Sequence, residues 1–121
     1  MIDHLTLKVK DVRTARAFYA AALAPLGYEV LVEHEGVVGM GADKHPDLWI
    51  GQDPENARPA HVAFTAPSRK AVDAFHAAAL AAGAKDNGRP GVRPEYHPTY
   101  YAAFVLDEDG HNIEAVVHRP E

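Results

Sequence analysis

HLTLKVKDVRTARAFYAAALAPL, residues 4–26, occurs in outline a second time later in the chain. The two copies share an opening histidine, a residue type that caps helices, a phenylalanine and an AAALA run. The matched pairs are His4 with His61, Asp11 with Ser68, Phe18 with Phe75, and residues 20–24 with residues 77–81. Alanine matches carry little weight alone, but the other three in one register indicate a duplicated strand–helix unit.

Each copy has the pattern of a strand followed by an amphipathic helix. Apolar residues alternate with polar ones across residues 5–9, which predicts a strand with one face on a core. Asp11 then caps a helix that runs to about Ala24. In the second copy, strand 61–65 precedes helix 68–82. Each opening histidine therefore belongs to the strand face that points away from the helix.

Further strands follow each helix. They are predicted at residues 28–34, 37–41, 48–52, 100–106 and 112–118. Residues 87–98 hold three prolines and two glycines, so we expect little regular structure there beyond at most one more strand. The result is one domain over residues 1–121 with an α+β fold: module one at about 1–53, a connector at about 54–59 and module two at about 60–121.

The composition is ordinary for a globular chain, with 47% hydrophobic and 24% charged residues. A net charge of -5 does not provide the basic patch of a nucleic-acid-binding protein. No apolar run approaches the roughly 20 residues of a membrane span, and the N-terminus has no signal-peptide pattern. The lack of cysteine excludes disulfides, thiolate metal sites and cysteine nucleophiles. We expect a cytoplasmic protein.

His4, His61 and Glu114 are the strongest candidates for chemistry. The two histidines open equivalent strands, and a pseudo-twofold axis between the modules would bring them together. Glu114 lies on the polar side of the last strand. Two imidazoles and one carboxylate suit Zn, Fe, Ni or Mn and leave positions open for water or substrate. Because the chain has eight histidines, ordinary surface roles are the alternative, and we expect them for His34, His45, His76, His111 and His118.

Other candidates lie near the proline-rich segment and on the strand at 48–52. Candidate catalytic residues are His97, Tyr100 and Tyr101, and candidate substrate-binding residues are Trp49, Arg93 and Tyr96. A tyrosine or histidine here donates a proton or binds an anionic oxygen, and an arginine holds a carboxylate or phosphate. Tyr100 and Tyr101 face opposite sides of a strand, so at most one of them lines a pocket. Packing or exposure to solvent is the alternative role for each of the six.

The segment FVLDEDGHNIE, residues 104–114, resembles the closing hairpin of the vicinal-oxygen-chelate superfamily. This superfamily includes glyoxalase I, bleomycin-resistance proteins, fosfomycin-resistance enzymes and extradiol dioxygenases. The opening HLTL, Asp11 and the run Ala17-Phe18-Tyr19 resemble its first strand and helix. The resemblance covers nearly the whole chain.

The resemblance implies two βαβββ modules related by pseudo-twofold symmetry, with sheets that cup a central cavity and one long helix per module on the outside. It implies a divalent metal (Zn, Ni, Fe or Mn) bound by His4, His61 and Glu114, and often a homodimer. Such a metal acts as a Lewis acid on a small oxygenated substrate, in lyase, isomerase or dioxygenase chemistry. The modules pair within one chain or swap between two chains, and both arrangements use the same residues.

One departure from glyoxalase I concerns its fourth ligand, usually a glutamate on the last strand of the first module that also transfers the proton. The matching strand here, LWIGQ at residues 48–52, has no carboxylate, and Ile50 or a neighbour occupies the glutamate position. We therefore expect an enzyme other than a standard lactoylglutathione lyase. The alternative is a metal-free binding or resistance protein of the bleomycin-resistance type.

Overall fold

Two modules with the same order of elements make up the chain, and the computed structural model describes residues 1–120. The first module contains β1 (Leu5–Val9), α1 (Val12–Leu23), a short 3₁₀ helix (Ala24–Leu26), β2 (Glu29–His34), β3 (Val37–Gly41) and β4 (Leu48–Gln52). The second contains β5 (His61–Thr65), α2 (Arg69–Ala81), β6 (Lys85–Val92), β7 (Tyr101–Leu106) and β8 (Asn112–Val117). The predicted α+β fold of two βαβββ modules is confirmed.

Each module forms its own four-stranded mixed sheet. The strand orders are β1-β4-β3-β2 and β5-β8-β7-β6, with β1 parallel to β4 and β5 parallel to β8. His61 is the first residue of β5, and His4 immediately precedes β1. The repeat therefore gives each sheet one histidine at the start of an edge strand.

Both helices begin at the predicted caps. The Asp11 carboxylate accepts a hydrogen bond from the Arg13 amide at 2.9 Å, and the Ser68 hydroxyl accepts one from the Ala71 amide at 3.1 Å. These bonds satisfy amides that the first helical turn leaves without a partner. Gly27 ends the first helical segment with a φ of 89°, a conformation that glycine adopts without strain.

The two helices contact each other and so connect the modules. Each helix packs on one face of its own sheet, and α1 also contacts α2. Leu7 and Phe64 are buried on these faces within one core, whereas Thr6, Ala63 and Thr65 are exposed on the opposite faces. Within residues 1–120, β1 and β5 do not pack extensively on each other. We call the sheet face turned away from the helices the outer face. Each opening histidine lies at the start of a strand that contributes to this face.

The turn between β7 and β8 is hydrogen-bonded to helix α1 of the first module. Asp107 accepts hydrogen bonds from the amides of Asp109 at 3.0 Å and His111 at 2.8 Å, and from the Tyr19 hydroxyl in α1. Tyr19 is fully buried, and its burial together with the Asp107 charge raises its pKa well above the usual value. The turn is thus fixed by one buried carboxylate that connects the two modules.

Two histidines expected at the surface are buried, so that expectation is wrong for them. His111 is 1% exposed; its Nδ1 accepts from the Ala60 amide at 2.9 Å, and its Nε2 donates to the Lys8 carbonyl at 2.9 Å. His76 in α2 is 7% exposed and hydrogen bonds to Asp86 at 3.0 Å. Imidazoles are tolerated inside because their ring nitrogens have partners there, which local sequence patterns do not show.

The first half of the proline-rich segment belongs to strand β6, and residues 93–100 form no helix or strand. β6 crosses Gly88 and Pro90 and pairs with β7 through two irregularities in register. β6 is the one further strand that the prediction allowed, and as an edge strand it tolerates a proline that cannot donate. Gly88 has a φ of 152°, and a Cβ there would lie 2.8 Å from Cδ1 of Phe104. Glycine is therefore required at that position.

Candidate functional site

His61 and Glu114 meet on the outer face of the second sheet. Glu114 lies on β8 opposite Ala63 of β5, which places it beside the strand that His61 opens. Nε2 of His61 is 2.8 Å from Oε1 of Glu114. The carboxylate is buried, with its side chain 1% exposed, whereas the imidazole is 53% exposed. A buried charge needs partners, and here one of them is a ring open to solvent.

The second carboxylate oxygen of Glu114 is bound by Tyr100. The Tyr100 hydroxyl donates a hydrogen bond to Oε2, from a residue that immediately precedes β7. Loss of solvent, and then the bond to Glu114, raises the pKa of Tyr100 to about 12. The phenol therefore stays protonated at neutral pH and remains a donor to the carboxylate.

Phe104 and Arg93 border the same cluster. Phe104 is directly opposite Glu114 in the β7–β8 register, and its ring centroid is 6.3 Å from that of His61. The Arg93 guanidinium carbon lies 5.4 Å from the Phe104 ring centroid, within cation–π range. Two nitrogens of Arg93 donate to backbone carbonyls of β6 at 2.7 and 2.8 Å. A positive charge is thus held in place beside the aromatic wall.

Tyr96 and His97 lie in the loop that leads to Tyr100. The Tyr96 ring packs edge-on against Tyr100, with centroids 5.1 Å apart, and is 63% exposed. His97 is exposed, and its Nδ1 accepts from the Thr99 amide at 3.2 Å. Tyr96 therefore extends the aromatic wall, whereas the hydrogen bonds of His97 stay within its own loop.

Tyr101 points to the opposite side of β7 from Tyr100. Its hydroxyl donates to Oδ1 of Asp73 in α2 at 2.6 Å. The two hydroxyls thus have partners on different elements, Tyr100 on β8 and Tyr101 on α2. Of the candidate residues near this loop, the structure groups Arg93, Tyr96 and Tyr100 with the His61–Glu114 pair, and it places Tyr101 on the helix side.

His4 belongs to the first sheet, apart from this cluster. Its Nδ1 is 2.7 Å from Oδ2 of Asp3, and both side chains are exposed. Within residues 1–120, no three His, Asp or Glu side chains lie close enough together to hold one metal ion. The chain thus brings together two of the three predicted ligands, His61 and Glu114.

Trp49 marks the place in the first sheet that corresponds to Glu114. It lies on β4 opposite Thr6, just as Glu114 lies on β8 opposite Ala63, and Thr6 and Ala63 are equivalent in the repeat. Ile50 is fully buried on the helix side. The residue of the first module that is equivalent to Glu114 is therefore Trp49 and not Ile50, so the first module has no carboxylate at this position.

Gly39 leaves room for the indole of Trp49, which it faces on β3. A Cβ at residue 39 would lie 2.7 Å from Cζ3 of Trp49. We expect Gly39→Ala to displace the ring, shift the emission of this single tryptophan and reduce the free energy of unfolding by about 1–3 kcal/mol. Gly51→Ala is the matched control, since its Cβ would lie 3.6 Å from Thr6. Equal fluorescence and stability in both variants would contradict this.

The pair of His61 and Glu114 fits a metal as two of its ligands. Two ligands of one zinc ion, each about 2.1 Å from it, lie roughly 3.0–3.4 Å apart at tetrahedral to right angles. The observed separation of 2.8 Å is slightly shorter, so only a small opening of the hydrogen bond is needed. Among residues 1–120, no further His, Asp or Glu side chain completes this pair to a set of three.

A cavity of about 910 Å³ lies elsewhere, between α1, the end of α2 and the β7–β8 turn. Its walls include Phe18, Leu106 and the hydrogen-bonded groups Tyr19 and Asp107, and none of the nine predicted site residues. Its buried polar groups already satisfy each other. The cluster on the outer face, with its exposed imidazole, is the better candidate for chemistry.

Within residues 1–120, no helix has the length and apolar character to cross a membrane.

Solved structures share this fold. A glyoxalase/bleomycin resistance protein from Albidiferax ferrireducens is 28% identical with a TM-score of 0.83, over 93% of this chain and 95% of that one. A glyoxalase-related enzyme from Fulvimarina pelagi is 17% identical with a TM-score of 0.77, over 96% and 86%. A glyoxalase I mutant from Zea mays is 22% identical with a TM-score of 0.71, over 93% of this chain but 45% of that one.

No curated protein matches the sequence. The sequence profile of the glyoxalase/bleomycin resistance protein/dioxygenase superfamily matches residues 1–115, which is nearly the whole chain. The two βαβββ modules and the structural neighbours agree with that match. The chain therefore belongs to the glyoxalase/bleomycin resistance protein/dioxygenase superfamily.

Proposed function

We propose that this chain is a metal-dependent enzyme whose site combines His61 and Glu114 of one copy with His4 of a second copy. The observation that carries the proposal is the meeting of His61 and Glu114, 2.8 Å apart, on an open outer face. A nitrogen and a carboxylate oxygen on such a face are a partial ligand set for a divalent ion.

The arrangement of the modules supports a second copy as the source of the third ligand. The helices of one chain contact each other, and the outer faces of its two sheets are turned away from them. His4 is exposed on the first module, as His61 is on the second. In a twofold dimer, each first module covers the second module of its partner, and two equivalent sites result.

The chemistry follows from the ligands and from their surroundings. A divalent metal at these residues supplies a Lewis acid that polarises an oxygen of a small substrate. Tyr100 and His61 hold the Glu114 carboxylate, and Phe104 and Arg93 form an apolar wall with a fixed positive charge. These features suit a small oxygenated substrate in a lyase, isomerase or dioxygenase reaction. With Trp49 at the position equivalent to Glu114, lactoylglutathione lyase activity is not part of the proposal.

Metal analysis of purified protein tests the proposal. Dialysis against Zn²⁺, Ni²⁺, Mn²⁺ and Fe²⁺ should leave about one metal ion per chain in the wild type. His4→Ala, His61→Ala and Glu114→Ala should each lose it, because three protein ligands are needed for tight binding. His34→Ala, an exposed histidine on β2, is the control and should keep the metal.

The opposite result is informative as well. A wild type that takes up none of the four metals would overturn the metal-dependent proposal and favour a metal-free binding protein. Retention of metal by His4→Ala, with loss in the other two variants, would show that the third ligand is a different group.

A further inference from the structure

We infer that Tyr100 is a positioning residue that holds Oε2 of Glu114, so that Oε1 alone is presented beside His61 as a one-oxygen ligand. The inference rests on the proposed function and assigns a role to a side chain outside the ligand set. It concerns the orientation of the carboxylate rather than the reacting atoms.

The two oxygens of Glu114 have different partners. Oε1 faces the exposed ring of His61 at 2.8 Å, while Oε2 accepts the Tyr100 hydroxyl. Since the Glu114 side chain is 1% exposed, bulk water does not compete for these positions. The carboxylate is thereby fixed in its rotation about the last side-chain bond, with one oxygen directed to the open face.

The phenol itself is held from several directions. The Tyr100 amide donates to the His97 carbonyl at 3.1 Å, and its carbonyl accepts from the Arg93 amide at 2.7 Å. The rings of Tyr96 and His118 each pack edge-on against it, with centroids 5.1 Å away. The hydroxyl is therefore in position before any ligand binds, and Glu114 does not have to be ordered by the metal.

Hydrogen-bond partners of metal ligands usually affect affinity. Loss of such a partner typically costs about 10–100-fold in metal binding, because the ligand loses its orientation. In this chain the loss would also leave a buried carboxylate oxygen without its donor, which is unfavourable in itself. Both effects point to weaker binding when the hydroxyl is removed.

The test compares two variants with the same chemical change on opposite sides of β7. Zn²⁺ affinity of the full-length protein is measured by competition with a chromogenic chelator. Tyr100→Phe is expected to bind about 10–100-fold more weakly than the wild type. Tyr101→Phe, which loses only the bond to Asp73 on the helix side, is expected to bind like the wild type.

Two further measurements separate positioning from a general loss of structure. The visible absorption of the Co²⁺ protein should change in Tyr100→Phe and stay unchanged in Tyr101→Phe, since it reports the coordination of the metal. Melting temperatures of the metal-free proteins show whether either variant is damaged. Equal affinity and equal Co²⁺ spectra in Tyr100→Phe and wild type would overturn the inference and leave the metal site standing. A wild type without metal affinity would instead overturn the proposed function.

Discussion

Mixing the His4→Ala and Glu114→Ala proteins is expected to restore metal binding that neither variant shows alone. In the proposed dimer, the His4→Ala copy still provides a complete His61–Glu114 pair, and the Glu114→Ala copy provides an intact His4. Each mixed dimer then contains one complete site and one doubly defective site. After random exchange of subunits, about a quarter of the wild-type metal content should return, and a purified mixed dimer should hold about half.

The measurement is metal content after co-refolding the two variants with separate tags and isolating dimers that carry both. The matched control mixes His61→Ala with Glu114→Ala. These two changes fall in the same half of the site, so every dimer remains defective and no metal returns. If the first mixture also stays empty while the wild type binds metal, the three ligands belong to one chain and the swapped arrangement is wrong.

Asp107→Ala is expected to cause the largest loss of stability, about 3–4 kcal/mol in the free energy of unfolding. The Asp107 carboxylate is buried and accepts from the Tyr19 hydroxyl and from the amides of Asp109 and His111. Its removal leaves the fully buried Tyr19 hydroxyl without a partner and frees the turn that ties the second module to the first. Urea denaturation at a fixed protein concentration measures the effect, since association contributes to stability.

The neighbouring Glu108 provides the control. It is exposed in the same turn, so Glu108→Ala should change the free energy of unfolding by less than about 0.5 kcal/mol. Tyr19→Phe should give an intermediate loss of about 1–2 kcal/mol, because it removes only one of the three donors to Asp107. An Asp107→Ala protein as stable as Glu108→Ala would show that the turn does not hold the modules together.

The sequence predicted the parts of the fold that depend on local pattern. The repeat of an opening histidine, a cap and an amphipathic helix gave the two modules, and Asp11 and Ser68 cap the helices as expected. Alternation along β8 placed Glu114 on the face away from Ile113, and the structure pairs it with His61. These features follow from residue spacing within single elements, which a sequence displays directly.

What the sequence did not predict depends on contacts between distant segments. The sequence predicted strand β4 but not its register against β1. That register shows that Trp49, and not Ile50, corresponds to Glu114. The burial of His111 comes from the Lys8 carbonyl, far away along the chain. The sequence left strand β6 open, and it forms in spite of Pro90 because it pairs through one edge only. The hydrogen bond from Tyr100 to Glu114 likewise joins two elements, so local pattern offered only a tyrosine near a strand.

The contact of the two modules through their helices has a consequence for how the protein responds to its own concentration. Under the proposed arrangement, the ligands on the two sheets of one chain never serve the same ion, so the ion is shared between copies. Metal uptake and self-association then become linked equilibria, and each strengthens the other by the same factor. Dilution would release the ion, and a chelator would separate the copies. The bound metal would then contribute directly to the stability of the dimer.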